Sequence, residues 1–323
     1  MAMRILISGG LGFIGGRVAV SLAQAGHQIV LGSRNKGGSP VWLSQAELEQ
    51  IRWDDETQLE RICNGVDVVI HAAGMNALDC STDPVAALDF NGLATARLVA
   101  AACRAKVQRF IYLSTAHVYA SPLEGIITEE TCPRNLHPYA TSHLAGEYAV
   151  LGASQHGQTQ GIVLRLSNVF GVPMNKDVNC WMLLVNDLCR QAVQTRKLLL
   201  HTSGQQQREF IAMTEVCRVI ELLSARNCDD HETGIYNIGA GQAQSVLSIA
   251  QTIQQCCADV LGFEPELQLR QDIVNDAHET LRYKTVRLER LGIQLDGSVN
   301  NVEIKRLLSY CNITFEYSST IHE

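Results

Sequence analysis

The chain has 323 residues, 46% of them hydrophobic, and a formal net charge of −7 at neutral pH. This length and apolar content suit one large globular domain, or one and a half. The negative charge and the absence of a basic cluster argue against nucleic acid or an anionic membrane surface as a partner. No apolar run approaches the roughly 20 residues that cross a bilayer, and glycines interrupt the first apolar run too early for a signal peptide. We therefore expect a soluble, cytoplasmic protein.

The eleven cysteines are scattered, and none of them forms a C-x-x-C pair. An odd number without regular spacing favours packed, reduced thiols over disulfides or zinc ligands. We therefore predict no metal site.

The first fifteen residues contain a strand followed by a glycine-rich turn. The aliphatic run Arg4-Ile5-Leu6-Ile7-Ser8 ends at Gly9, and Gly12 and Gly15 follow at three-residue spacing. Apolar residues then recur every three to four positions until Gly26, which predicts a helix before the next strand. Glycines at these positions permit a tight turn and bring backbone N–H groups close to a pyrophosphate at a helix N-terminus. An ordinary flexible turn is the alternative interpretation.

Strands and helices alternate through the first half of the chain. After the strand at 29–31 we predict strands at 51–53, 66–73, 110–113 and 162–166, and helices at 56–65, 84–105 and 139–153. This alternation predicts an α/β fold with a Rossmann-type, doubly wound parallel sheet. We place the dinucleotide-binding domain at 1–171. Residues 172–323 form mainly a smaller, partly discontinuous substrate lobe, with some segments returning to the first domain.

Several ordered motifs resemble one family. They are Gly9-x-x-Gly12-x-x-Gly15, Leu113-Ser114-Thr115 at a strand end, Pro138-Tyr139 opening a helix, Arg165-x-x-Asn168-x-x-Gly171, Arg208-Glu209-Phe210-Ile211 and Tyr236-Asn237-Ile238-Gly239. Together they resemble the extended short-chain dehydrogenase/reductases, and within these the NAD-dependent epimerase/dehydratase family typified by UDP-glucose 4-epimerase. The resemblance implies a bound nicotinamide nucleotide and a nucleotide-sugar substrate.

The resemblance also implies roles for individual residues. Tyr139 would be the catalytic tyrosine, and Thr115 its hydroxyl partner. The implied cofactor-binding residues are Gly9, Gly12, Phe13, Ile14, Gly15, Ser33, Arg34, Asp54, Asp55, Ala72, Ala73, Gly74, Tyr139 and His143. The implied substrate-binding residues are Asn168, Asn179 and Arg208. A phenolate can take a proton from a sugar hydroxyl, and an arginine offers a bidentate fork to phosphate.

The chain departs from the family at the lysine of Tyr-x-x-x-Lys, where His143 stands. Position 143 still shares a helix face with Tyr139. An imidazole can hydrogen-bond a ribose, but it is mostly neutral at pH 7 and does less to ionise a tyrosine. Three hypotheses stay open: His143 is a weaker, pH-dependent substitute, the reaction uses a different base, or the protein binds cofactor without turnover.

Three further departures concern substrate and cofactor. Ala116-His117 replaces the acidic pair of the dehydratases, so we rank dehydration below epimerisation or keto-reduction. The second strand ends at Ser33-Arg34 instead of the aspartate that binds the adenosine ribose, which favours NADP slightly over NAD. The alternative is that Arg34 belongs to a solvated loop. Asp89 stands where the family usually has an asparagine.

We therefore predict an NAD(P)-dependent epimerase or keto-reductase acting on a nucleotide-activated sugar. The alternative is a catalytically silent NAD(P)-binding protein that serves as a ligand-gated interaction module. We also predict a homodimer, because the helices at 84–105 and 139–153 correspond to the pair through which the family dimerises. The small residues Ala96, Ala100, Ala101, Ala145 and Ala149 would allow close helix approach.

Overall fold

The computed structural model describes residues 2–155, 159–226, 233–269 and 280–315. The chain divides into two compact units. The first contains the residues up to Ser121, Thr131–Leu166 and Cys217–Ile238, and the second contains Pro122–Glu130, Ser167–Val216 and the residues from Gly239 onwards. Each unit thus consists of segments that are distant in sequence.

The strands of the described residues, in chain order, are β1 Arg4–Ser8, β2 Gln28–Ser33, β3 Glu47–Gln50, β4 Val68–His71, β5 Arg109–Thr115, β6 Ile126–Ile127, β7 Gln160–Leu166, β8 Asn168–Phe170, β9 Lys197–Leu200, β10 Gln207–Ala212, β11 Gly234–Ile238, β12 Ala243–Ser245, β13 Glu266–Leu269 and β14 Arg282–Tyr283. The α-helices are α1 Phe13–Gln24, α2 Glu56–Cys63, α3 Ala77–Thr82, α4 Pro84–Ala87, α5 Ala94–Arg104, α6 Pro138–Gln155, α7 Leu184–Thr195, α8 Met213–Ala225, α9 Val246–Leu261, α10 Val286–Arg290 and α11 Asn300–Thr314.

The first unit is built on a seven-stranded parallel sheet in the order β11-β7-β5-β4-β1-β2-β3. Its central strands are buried along their whole length, as expected when helices cover both faces of a parallel sheet. Strand order reverses next to β1, which is the topological switch point where such sheets bind ligands. The predicted Rossmann-type fold is confirmed.

The carboxyl ends of the central strands lie along one edge of this sheet. Ser8 at the end of β1 is in register with Gly32 and with His71 on its two neighbouring strands. Thr115 ends β5, two strands from β1. Residues that directly follow these strands are therefore brought together by the parallel register, whatever their separation in sequence.

The second unit carries three small sheets and its own apolar core. The sheets have the orders β12-β10-β8, β13-β9 and β14-β6. Helices α7, α9 and α11 pack together around buried residues such as Leu188, Ile253 and Leu307. The unit therefore has an independent core, as expected for a separate folding unit.

The third strand was predicted wrongly at 51–53. It is Glu47–Gln50, an edge strand that pairs only with β2 within the described sheet. Ile51 follows the strand and packs its side chain against Gly32. The apolar run therefore marks the residues that cover the sheet, whereas the edge strand itself has the more polar sequence Glu-Leu-Glu-Gln.

The helix predicted at 84–105 extends over Pro84–Arg104 with a π-helical segment at Leu88–Leu93. By length and composition alone it is the single described helix able to cross a membrane, although we expected no stretch of that kind. Half of its apolar window is buried inside the protein, as in the core helix of a globular domain. Such a helix is weak evidence for a membrane span, and the cytoplasmic location stays a prediction.

The ten cysteines within the described residues are free thiols, and most of them are buried. Burial raises the pKa of Cys63, Cys180, Cys257 and Cys311 to about 12. These thiols are therefore protonated packing groups at neutral pH.

Candidate active site

The glycine turn connects β1 to the N-terminus of α1. Gly9 has φ +68°, and a side chain there would approach the Ala73 backbone nitrogen to 2.8 Å. A side chain at Gly15 would collide with the Gly9 carbonyl oxygen. No side chain caps α1 at Gly12, so its first N–H groups can bind an anion. Phe13 and Ile14 form the first turn of α1. The glycine turn and the first N–H groups of α1 together form a glycine cradle, which can hold the pyrophosphate of a dinucleotide.

Ala72, Ala73 and Gly74 directly follow β4, and Ala72 N–H donates to the Ser8 carbonyl at 3.1 Å. This bond holds the segment after β4 beside the glycine turn. The structure thus brings two parts of the predicted cofactor site together, although about 60 residues separate them in sequence.

Asp54 and Asp55 follow β3. Asp55 accepts from Gln58 N–H at 2.9 Å and caps α2, and it pairs with Arg52 at 3.0 Å. Asp54 is exposed. The Asp55 carboxylate is therefore already used within the protein, which leaves Asp54 as the freer acceptor for an adenine amino group.

Ser33 and Arg34 lie at the end of β2. The Ser33 hydroxyl accepts from Asn35 N–H at 3.1 Å. The Arg34 guanidinium lies 5.4 Å from the ring centroid of Phe90, and Phe90 meets Trp53 edge to face at 5.5 Å. Arg34 therefore lies against an aromatic side chain that the sequence analysis did not predict.

Tyr139 at the start of α6 lies near Thr115 at the end of β5, so that the Thr115 hydroxyl acts on the Tyr139 phenol. Thr115 is buried, and its hydroxyl also accepts from His117 N–H at 3.1 Å. Burial raises the pKa of Tyr139 above the usual value of a phenol, and the Thr115 hydroxyl offsets part of that rise. A phenol aligned with a second hydroxyl can transfer a proton to or from a substrate oxygen.

His143 lies one helical turn after Tyr139, with its ring edge to face against the Tyr139 ring at 4.6 Å. Its Nδ1 lies 2.8 Å from the Tyr112 hydroxyl. The side chain is buried, and burial lowers the pKa of His143 to about 4. The imidazole is therefore neutral at physiological pH and supplies no positive charge to Tyr139.

Asn91, in the π-helical segment, is a site residue that sequence reasoning missed. Its side chain accepts from Met75 N–H at 2.8 Å and donates to the Ser142 hydroxyl at 3.0 Å. Asp89, which we had aligned with the family's asparagine, is exposed. The π-helical turn instead places Asn91, two residues later, on the buried face.

The predicted substrate-binding residues all belong to the second unit. The Asn168 amide donates to the Glu209 carbonyl at 2.8 Å, and Arg208 donates to the Gln206 amide oxygen at 3.0 Å. Asn168 and Arg208 lie on the paired strands β8 and β10. Asn179 is exposed in the segment between β8 and α7 and lies away from these strands in sequence.

Arg208 is partly buried, and burial lowers the pKa of its guanidinium. No carboxylate pairs with it within the described parts of the chain. Within the same residues, no group of three or more His, Cys, Asp or Glu side chains is arranged to hold a metal ion.

Comparisons with known proteins match the chain to one family and its structures. The family model described as "NAD dependent epimerase/dehydratase family" matches residues 5–239. The dTDP-D-glucose 4,6-dehydratase of Mus musculus is 28% identical over 309 residues, which cover 90% of this chain and 84% of that protein. The UDP-glucose 4-epimerase of Streptomyces lividans is 28% identical over 278 residues, covering 79% and 81%.

Solved structures share the fold over nearly the whole chain. MoeE5 in complex with UDP-glucose and NAD has a TM-score of 0.76 at 24% identity, covering 96% of this chain and 99% of that one. RMD from Pseudomonas aeruginosa, complexed with NADPH, has a TM-score of 0.74 at 22% identity, covering 97% and 100%.

Proposed function

The chain belongs to the NAD-dependent epimerase/dehydratase family, and from that premise we propose that it epimerises or reduces a nucleotide-activated sugar with NAD(P). Family membership confirms the resemblance seen in the motifs and the expectation of an enzyme. The observation that carries the proposal is the neighbouring Tyr139 and Thr115 hydroxyls, which lie at the carboxyl edge of the sheet that also carries the glycine cradle.

Tyr139 moves the proton in this proposal. Its phenolate takes the proton of a sugar hydroxyl as the carbon is oxidised, and its phenol returns the proton as the carbonyl is reduced. The Thr115 hydroxyl holds the same oxygen by a hydrogen bond. A bound nicotinamide supplies the reversible hydride acceptor. His143 contributes no charge, so Tyr139 must lose its proton although burial raises its pKa.

We infer that the first unit binds the cofactor and that Asn168, Asn179 and Arg208 of the second unit bind the sugar nucleotide. A partly buried guanidinium whose described partner is a neutral amide is suited to an external anion, because a diphosphate would supply the missing negative charge. Dehydration remains the less favoured reaction, because Ala116 and His117 provide no carboxylate beside Thr115.

NADP is the favoured cofactor in this proposal. Arg34 and Ser33 stand at the end of β2, where the family has an acidic residue. The Arg34 guanidinium lies over the face of the Phe90 ring, which supports it by a cation–π contact. A supported cation loses less conformational freedom when it binds a 2′-phosphate. The related structures contain either NAD or NADPH, so both dinucleotides belong in the assay.

We further propose a homodimer through the exposed faces of α5 and α6. Ala96, Ala100 and Ala149 line a shallow groove between these helices, and the exposed Leu93 and Tyr148 belong to the same two-helix region. Ala101, which we had included in the contact surface, is fully buried within its own subunit. A groove of small residues allows close approach of a second helix pair.

Native mass spectrometry and a nucleotide-sugar panel test the function together. We expect co-purifying or added NAD(P)(H) to bind, and epimerised or reduced sugar to appear. Tyr139→Phe should lower turnover by at least a hundredfold while cofactor binding persists. Tyr310→Phe removes a partly buried phenol from α11 of the second unit and is the control. A Tyr139→Phe variant as active as the parent would refute the assigned base. Binding without turnover in the parent would favour the silent binding protein.

A further inference from the structure

Two groups of buried, hydrogen-bonded polar side chains lie next to each other in the first unit, and one of them contains His143. His71 Nδ1 hydrogen-bonds the Ser8 hydroxyl, and His71 Nε2 lies 2.8 Å from Thr95 Oγ1. Thr95 donates its own hydrogen to the Asn91 carbonyl at 2.6 Å. The Tyr112 hydroxyl lies 2.8 Å from His143 Nδ1. The ring of Tyr112 also stacks on that of His71, with centroids 5.5 Å apart.

The hydrogen positions follow from the partners. Since the Thr95 hydrogen is used on Asn91, Thr95 Oγ1 accepts from His71, so His71 carries its proton on Nε2. Burial lowers the pKa of His71 to about 3, so this ring is neutral and its Nδ1 accepts from Ser8. The hydrogen bonds from Ser8 to His71 and from His71 to Thr95 therefore have defined donors and acceptors.

The Tyr112 hydroxyl determines which ring nitrogen of His143 carries the proton. Its side chain is fully buried, and burial holds its pKa well above that of a free phenol, so the hydroxyl keeps its proton and needs an acceptor. His143 Nδ1 is the acceptor at hydrogen-bond distance within the described residues. Thr95 Oγ1 lies near the phenol too, but within the described residues no hydrogen bond joins these two hydroxyls. A neutral imidazole that accepts at Nδ1 carries its hydrogen on Nε2.

The Nε2 atom faces the segment after β4. A side-chain carbon built on Gly74 would lie 3.9 Å from it, and no described residue forms a hydrogen bond with Nε2. Gly74 belongs to the predicted cofactor site, so an Nε2–H group there lies beside the region where a dinucleotide would bind.

We propose that Tyr112 is a positioning residue that holds the neutral imidazole of His143 in its Nε2–H form, so that His143 presents a hydrogen-bond donor to the nicotinamide ribose. The donor function of the family's lysine is thereby kept, while its charge is lost. The ribose contact rests on the proposed function, whereas the position of the proton does not.

Nitrogen NMR of histidine-labelled protein without added cofactor tests the proton position. His143 is assigned by its loss in His143→Gln. We expect a protonated Nε2 and an acceptor-type Nδ1 in the parent, and a mixture of both tautomers in Tyr112→Phe. Tyr119→Phe is the matched control, because it removes another buried phenol, which donates to Asn237 at 2.7 Å. A parent with the proton on Nδ1, or no change in Tyr112→Phe, overturns the proposal.

Cofactor titration tests the ribose contact. Tyr112→Phe should weaken NADPH and NADH binding about three- to tenfold, the loss expected for one neutral hydrogen bond. In a His143→Lys background the same substitution should have little effect, because lysine has no tautomer to fix. Equal weakening in both backgrounds would show a packing effect and overturn the contact. If neither dinucleotide binds the parent, the proposed function and the ribose contact fail, while the NMR result still decides the proton position.

Discussion

The rings of Tyr139 and His143 meet edge to face, with centroids 4.6 Å apart and planes at 75°. At this distance a charge on position 143 would act directly on the phenol. Burial instead keeps His143 neutral and raises the pKa of Tyr139. The proposed catalytic tyrosine therefore has a neutral imidazole beside it at neutral pH.

This relationship predicts the pH dependence of turnover. The rate of the parent should be low at pH 7 and climb through the alkaline range, because the proposed base is the phenolate and the pKa of Tyr139 lies above its ordinary value. His143→Lys should move that climb toward neutral pH by about one unit or more, each unit corresponding to about 1.4 kcal/mol. His143→Gln, which adds no charge, is the control, and a shift of the same size in it would exclude the electrostatic explanation.

The two buried histidines predict a loss of stability in acid. Burial lowers the pKa of His143 to about 4 and that of His71 to about 3, below the usual 6.5, so the unfolded chain binds more protons between these values. The contribution of the two neutral imidazoles to the free energy of unfolding is therefore fully present above about pH 6.5, and it decreases as the pH falls toward 4. In urea unfolding, His143→Gln should remove up to about 3 kcal/mol of that pH dependence. His201→Gln, at an exposed position, should leave the slope unchanged.

Arg34 should determine cofactor choice. We expect Arg34→Ala to weaken NADPH binding by about tenfold or more, the loss of one charge-assisted hydrogen bond, with little effect on NADH. Fluorescence titration of both dinucleotides measures the ratio. Lys36→Ala, in the same loop, is the control. An unchanged ratio in Arg34→Ala would mean that the cation is only part of a solvated loop.

Arg208 should act on the sugar nucleotide alone. Arg208→Gln should weaken nucleotide-sugar binding by about ten- to a hundredfold, because a neutral amide replaces a guanidinium that binds phosphate. Arg208→Lys should restore part of the affinity through its charge. Calorimetry with the sugar nucleotide and with NADPH separates the effects, and equal losses for both ligands would contradict the assignment.

Ala100 should lie in the dimer interface. It is exposed in the groove between α5 and α6, so Ala100→Arg should place a large charge between the helix pairs and produce monomers. Light scattering at micromolar concentration measures the mass. Ala25→Arg, at another exposed alanine, is the control and should leave the mass of the parent unchanged. If the parent protein is itself monomeric, the proposed dimer interface is wrong.

The predictions from local pattern were accurate where the pattern has a local cause. The bounds of α9, Val246–Leu261, have such a cause, because Ser245 caps the helix and Gly262 ends it in a left-handed conformation. The glycine turn could be predicted for the same reason, since the spacing of Gly9, Gly12 and Gly15 reflects steric limits within one βα turn. The edge strand β3 was misplaced, because its polar alternation resembles a loop when the neighbouring strand is unknown.

The sequence alone predicted the alternation of strands and helices that indicates a parallel sheet, the glycine cradle, and Tyr139 and His143 on one helix face, because each is a pattern of residues close together in the chain. Only the tertiary structure placed Tyr112 against His143, Asn91 against Ser142 and Phe90 beneath Arg34. These contacts join residues tens of positions apart, and each depends on strand register or on a π-helical turn. It also decided that His143 is neutral, because that pKa is set by burial among side chains from other elements, which no local pattern specifies.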